Sequence, residues 1–348
     1  GAYGIGRLYS VSNAHATSLY SYDAMGRVVR EEQTVGGLNF SLQTAWNLAG
    51  QPTATILPNG TVITRAYNGV GQLEAVMSDW VDAQHPALLA GNFTYDASGA
   101  LVSVEYGNGT VSTRSYNSGG QLKRLRHGTF GNPGSLLDYE YNYQETVANN
   151  GLVHGVIDWR DRSRDQTYTY DNYWRLATAQ TAGSHWGLAW TYDRYGNRTA
   201  QTVTKGTAPA QTLAVSATTN RVTGWTYDGA GNTTSDGLHT YTYDAENRIR
   251  ELDGGVAVYC YDGQGRRVMK VTATETVRYV LGVGEHSSVV GWKKLYVDLA
   301  REKLVEYSGG TTWFFHTDHL GSPKVKAAVN GTEAERWDPD PYGETWVP

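Results

Sequence analysis

Three stretches of this 348-residue chain carry residue types that could do chemistry. The first is Phe315-His316-Thr317-Asp318-His319-Leu320-Gly321-Ser322-Pro323, where two imidazoles and a carboxylate invite a metal ion. On an extended strand, however, His316 and Asp318 face one side and Thr317 and His319 the other, and no fourth ligand is signalled nearby. The second is Trp337-Asp338-Pro339-Asp340-Pro341-Tyr342-Gly343-Glu344, whose two aspartates suggest a paired-carboxylate site. A proline after each aspartate favours extended, turn-forming backbone instead. The third is Trp186-Gly187-Leu188-Ala189-Trp190-Thr191-Tyr192, whose aromatic faces suit either sugar stacking or cross-strand packing. Scattered serines lack a Gly-x-Ser-x-Gly elbow, so no nucleophile is placed. Cys260, the sole cysteine, lies in an apolar-aromatic run and reads as a small buried hydrophobe. The reading at each place is structural: no catalytic residue, no metal and no cofactor.

What positions these stretches is a repeat. Ten times an aromatic residue precedes Asp or Asn, at Tyr22-Asp23, Trp46-Asn47, Tyr67-Asn68, Tyr95-Asp96, Tyr116-Asn117, Tyr170-Asp171, Tyr192-Asp193, Tyr227-Asp228, Tyr243-Asp244 and Tyr261-Asp262. Three residues on stands Gly in eight cases (Gly26, Gly50, Gly71, Gly99, Gly120, Gly196, Gly231 and Gly265) and Trp174 or Asn247 in the other two. The next position is Arg, Gln or Asn in nine of ten, with Ala100 the exception. The aromatic ends one strand, the Asp/Asn side chain makes an Asx-turn, and the Gly supplies a positive φ before the next strand. A short link of this chemistry between alternating runs predicts a hairpin, and the Asn-Gly pairs at Asn59-Gly60 and Asn108-Gly109 predict the opposite turns. Trp46 to Tyr95, Gly60 to Gly109 and Gly71 to Gly120 are all 49 residues apart, so the larger period is two hairpins. Such self-similarity makes the chain an array of one unit. Residues 80–91, 127–137 and 204–210 read as surface loops between strands.

Composition sets bounds. Gly (41) and Tyr (25) are abundant while Phe (5) and Met (3) are scarce, so tyrosine replaces aliphatic bulk. That suits a sheet wetted on a face better than a compact sandwich. A net charge of −5, evenly spread, argues against nucleic acid, and no run approaches a membrane span. Asn-x-Ser/Thr sites such as Asn59 and Asn330 read as turn followed by strand rather than as glycan acceptors. The chain opens Gly1-Ala2-Tyr3 without an initiator Met, and is expected to be a piece of something longer.

The tyrosine-aspartate units resemble the YD repeats of the RHS family, which includes bacterial polymorphic toxins, the shell subunits of insecticidal toxin complexes, and the teneurins. The run from His316, Asp318 and His319 through Gly321 and Pro323, then Asp338, Pro339, Asp340, Pro341 and Gly343, is similar to the start of the RHS-associated core. The resemblance spans Tyr9 to Gly343. It implies an all-β fold of antiparallel hairpins in one continuous spiralling sheet that forms a hollow partial barrel or shell, here of roughly 20 strands by two per anchor. Residues 1–312 would be the repeat array and 313–348 the start of the core element of the same shell. The implied function is non-enzymatic: a segment enclosing or displaying a C-terminal effector in a secreted or surface-exposed bacterial protein. The alternative is an adhesion or carbohydrate-binding module, assembling end to end, and a third class is a self-cleaving protease core. Partners would be the missing flanking chain or effector, glycans, or other copies joined at strand edges near Tyr9 and Trp346.

Overall fold

The computed structural model describes residues 3–144, 149–299 and 302–344, so Trp346 lies outside the described residues. Among those described there are thirty-one strands, two 3-10 turns (Arg162–Arg164 and Asp253–Gly255) and no α-helix. More strands form than the two per anchor expected, because turns outside the repeat also reverse the chain. Gly36-Gly37 and Gly309-Gly310, with positive φ at both residues, each make a two-residue link. Two stretches expected as loops carry strand as well. Leu122–Thr129 pairs with Asn132–Asn142, and Leu88–Tyr95 begins inside the supposed insertion at 80–91.

The chain divides into two compact units. In the unit made of Gly1–Gly91 and Gly224–Trp313, strands from Ser10–Ser12 to Leu73–Ser78 each pair antiparallel with their successor, and the last pairs on to residues 88–91. The later segment repeats the plan from Tyr241–Tyr243 to Glu302–Ser308. The two segments bury a core between them, with Val35 and Phe40 against Val268, Val280 and Leu281. Polar side chains lock the contact. Gln33 Oε1 accepts from the Leu281 N–H at 3.3 Å, and the Tyr20 hydroxyl reaches Gln264 at 2.9 Å.

In the unit made of Asn92–Thr223 and Phe314–Pro348, successive pairing runs from Leu101–Tyr106 to Gln211–Thr212. Residues 314–317, Pro323–Ala327 and Glu333–Arg336 add a three-stranded meander. The core alternates along Asn132–Asn142, where Leu137, Tyr139 and Tyr141 point inward with Leu125 and Val156. The expected single sheet is interrupted. Between Thr212 and Tyr241 only the hairpin of Thr226–Tyr227 with Thr233–Ser235 and isolated bridges form. That stretch is rich in Gly, Thr and Asn and has no alternating run long enough to carry a ladder.

The repeat turns are three-residue loops. The Gly26 N–H donates to the Asp23 carbonyl and the Asp23 N–H to the Arg27 carbonyl, each at 3.0 Å, which is a type I turn closed by a bulge at the left-handed residue. Pairing register slips at the aromatic anchor, for example between Ser21 and Tyr22 and between Ala66 and Tyr67. Asn59-Gly60 adopts the same form, with Gly60 at φ 96° and Asn59 not left-handed, so Asn-Gly does not make a two-residue turn here. All eight repeat glycines have positive φ, and so do the two substitutes, Trp174 (62°) and Asn247 (60°). The position therefore demands left-handed backbone whatever residue fills it. Gly120 has φ 76° and nothing within 4 Å of a Cβ built on it. Gly120→Val should therefore cost about 1–3 kcal/mol through backbone strain alone, and Gly120→Asn clearly less, in urea melts.

Candidate functional site

At each repeat corner the Asp or Asn side chain organises the loop. In all ten turns Oδ1 accepts the N–H four residues on, at 2.8–3.0 Å. The second side-chain atom then selects the residue at that fourth position. Asp has a second acceptor and meets a donor, as in Asp23–Arg27, Asp171–Arg175, Asp193–Asn197 and Asp228–Asn232. Asn has an amide donor left over and meets the acceptor of Gln, in Asn47–Gln51, Asn68–Gln72 and Asn117–Gln121. Where Ala100 offers neither, the Ser98 hydroxyl adds a bond to Asp96 Oδ1, the oxygen that already holds the turn. The Arg27 N–H holds the Asp23 carboxyl below the usual carboxylate range, and the Asn197 amide does the same for Asp193.

The aromatic anchor ties one hairpin to the one before. Trp46 Nε1 and the hydroxyls of Tyr67, Tyr116, Tyr192, Tyr243 and Tyr261 donate to the carbonyls of Val28, Pro52, Leu101, Leu176, Thr233 and Ile249, at 2.7–3.1 Å. Each acceptor lies two residues past the left-handed position of the preceding turn. The bulge shifts the ladder register there, and the hydroxyl adds a hydrogen bond to that carbonyl. The residue after the turn adds to the tie. Arg175 lies 4.5 Å over the Tyr192 ring, Arg248 4.7 Å over Tyr261, and Gln51 Nε2 donates to the Gly71 carbonyl. Tyr22 and Tyr170 make the same tie, to Leu8 past Gly6 and to Val153 past Gly151, and Tyr143, outside the ten anchors, reaches Leu122. Tyr143 was invisible in sequence because Gln144, not Asp or Asn, follows it.

The C-terminal signature supplies two more corners. The strand ends at Thr317, and Asp318 opens a turn: its Oδ1 accepts from Leu320 and Ser322, and Gly321 has φ 83°. The strand alternation assigned to Asp318 and His319 is thereby overturned, since both lie in the loop. Asp340 repeats the motif, with Oδ1 accepting from Tyr342 and Glu344 and Gly343 at φ 90°. Asp338 instead pairs with Arg164, so the two aspartates answer to different partners. His316 is fully buried, with its ring 4.9 Å from that of His127. Burial pushes His316 down to about 3 and His127 well below the ordinary histidine value, the latter helped by its neighbour His316 and by Arg114. His127 Nε2 meets the Thr317 carbonyl at 3.0 Å and His316 Nε2 meets Thr110 at 3.4 Å, and neither Nδ1 has a partner among the described residues. Among the described residues no group of three or more His, Cys, Asp or Glu could hold a metal.

Trp186 and Trp190 are buried against Ala179 and Leu188, with Trp190 Nε1 bonded to Gln201, so these rings are core and offer no sugar platform. Cys260 is buried, and burial raises its thiol. A cleft of about 420 Å³ opens beside the signature turns, lined by Tyr139, Tyr141, Tyr168 and Tyr170 together with Asp318, His319, Lys324 and Asp340. No sequence spacing could have joined these tyrosines to the signature, since roughly 150 residues of chain separate them.

No family model matches the chain, and no curated protein does. Solved structures do. The Tc holotoxin pore of Photorhabdus luminescens contains a chain that superposes over 98% of this one with a TM-score of 0.81 at 17% identity. The TcdB2-TccC3-Cdc42 complex gives 98% and 0.82 at 17%, and TcdB2-TccC3 gives 97% and 0.81 at 17%. The fold is that of an RHS-type shell. This chain spans about a fifth of those chains' length. The anchor turns and hydroxyl ties are thus what holds this all-β fold together.

Two outcomes follow from this geometry. Asn47→Asp sets a carboxylate against the Gln51 oxygen, which cannot turn away without giving up the amide bond to the Gly71 carbonyl, and should destabilise by about 1 kcal/mol, with Gln51→Arg in the same chain restoring it in denaturant melts. The buried histidines set an acid limit. Their folded values lie below the roughly 6.5 of the unfolded chain, so their contribution is complete above that pH and falls away as the pH drops toward the folded values. Stability should decline through about pH 6 to 4, and His316→Phe should flatten that decline.

Proposed function

We propose that the chain is a non-enzymatic segment of an RHS-type shell which encloses or displays a C-terminal effector, in a secreted or surface-exposed bacterial protein. The observation that carries this is the fate of the polar side chains. Repeat Asp, Asn, Arg, Gln and Tyr groups are spent on turns and on neighbouring hairpins, which builds a wall. The likeness of fold to toxin-complex chains across 98% of the chain supports the reading. One such neighbour was solved "without hypervariable C-terminal region", which suits a scaffold with exchangeable contents. Its partner would then be its own flanking chain.

A second reading, an adhesive or carbohydrate-binding module, is favoured by one feature. Tyr173 (77% exposed) and Trp174 (65%) sit on one corner and Tyr195 (56%) on the next, with Trp174 strained where glycine is the rule. Aromatics held out in this way are suited to stacking on a ligand.

The decisive experiment uses the full-length protein. Under limited proteolysis, chain following Pro348 should survive in the native shell and be cut once the shell is unfolded. Cutting at equal rates in both states would defeat the enclosure reading. Asp338→Asn and Asp340→Asn should leave the band pattern unchanged, whereas loss of a defined C-terminal peptide that either change abolishes would establish a protease.

A further inference from the structure

Twelve turns share one design, and in Asp340 that design is left incomplete. In the repeat turns whose Asp Oδ2 is bonded, it finds a donor at the fourth residue on, as in Asp23, Asp171, Asp244 and Asp262. At Asp340 that residue is Glu344, an acid, whose own carboxylate is taken up by Gln201 at 3.0 Å. Asp340 is only 6% exposed, and among the described residues its Oδ2 has no hydrogen-bond partner. A buried carboxylate oxygen without a donor is costly unless something supplies one.

The place it occupies says what that donor would be. Asp340 lines the tyrosine cleft, where four phenol rings and the aliphatic Val153 and Leu176 form apolar walls. The other carboxylate in the cleft, Asp318, already has Lys324 Nζ at 3.6 Å. His319 packs on Tyr141 with ring centroids 4.4 Å apart, and its burial disfavours the imidazolium. Lys324 offsets Asp318, which leaves Asp340, raised above the usual carboxylate range by its burial, as the carboxyl group that a cation would stabilise. Aromatic rings and a desolvated carboxylate are together the chemistry that recognises an organic cation. The volume suits a side chain or small amine better than a polymer.

We propose that this cleft is a binding site for an organic monocation, a guanidinium or primary ammonium carried on an aliphatic stem, with Asp340 Oδ2 accepting its hydrogen bond. The stem lies along Val153 and Leu176, and the tyrosine rings flank the charged head. This site is independent of the shell reading: a shell segment or an adhesive module could carry it equally.

The test is a titration of the protein with N-acetyl-arginine methylamide and with N-acetyl-lysine methylamide, followed by calorimetry and by tyrosine-region NMR shifts. N-acetyl-norleucine methylamide, of similar stem and no charge, is the control. Saturable binding of either cation, at least about tenfold tighter than the control, is expected, and the better of the two identifies the head group. Asp340→Asn should weaken it by about tenfold or more. That variant keeps its turn, because Asn47, Asn68 and Asn117 make the same Oδ1 bonds in this chain. Tyr168→Leu, which keeps the apolar wall and removes the ring, should weaken the cations and leave the norleucine control unchanged. Absence of saturable binding by both cations overturns the proposal. So does equal binding of norleucine, or an Asp340→Asn protein that binds as tightly as the parent.

Discussion

A hydroxyl at one hairpin corner donating to a carbonyl on the hairpin before it is the interaction on which the structure depends. Strand ladders hold neighbouring strands but do not fix how hairpin corners stand beside each other. The bulge at each corner shifts the ladder register where a fixed stance is needed. Tyrosine resolves this, because its ring packs as a hydrophobe and its hydroxyl reaches the carbonyl. Phenylalanine would bury as well but could not make that bond. The choice of Tyr rather than Phe at the corners is therefore a consequence of their geometry.

The corner itself is over-determined. Left-handed backbone, an Asx oxygen bonded to the N–H four residues on, and a matched partner for the second side-chain atom converge on three loop residues. That redundancy explains why Trp174 and Asn247 can stand where glycine is the norm. The other bonds hold the conformation while the side chain carries the strain. It also explains why Asp goes with Arg or Asn, and Asn with Gln: the pairing is donor to acceptor. Asp340 with Glu344 departs from that logic, and Asp340 lines a cleft.

Polar residues elsewhere knit the early and late segments inside each unit. Gln33 to Leu281 and Tyr20 to Gln264 do so in one, His127 to Thr317 and Asn108 to Ala328 in the other. Neutral buried histidines at such a seam are tolerated because one ring nitrogen is satisfied, and their charged forms are excluded by desolvation.

The sequence by itself determined the local unit. Tyr-Asp-x-x-Gly-Arg states a turn, a bulge, a left-handed residue and a capped side chain within six positions, and all of these are short-range. Repetition of the unit determined the all-β array, whereas Asp318, read as a strand residue, and Asp340 were shown to be corners only by the structure. Three matters were decided only by tertiary structure. Pairing between segments 200 or more residues apart carries no periodic signal, so the contacts of Tyr20 with Gln264 and of Gln33 with Leu281 could not be read. The fate of Trp186 and Trp190 was equally hidden, since an aromatic run reads the same whether its rings face a core or a ligand. The tyrosine cleft exists only because Tyr139, Tyr141 and Tyr168 come to lie beside a turn more than 150 residues further along the chain. Turn geometry is set by neighbours in sequence, whereas burial and convergence are set by what the fold brings from far away.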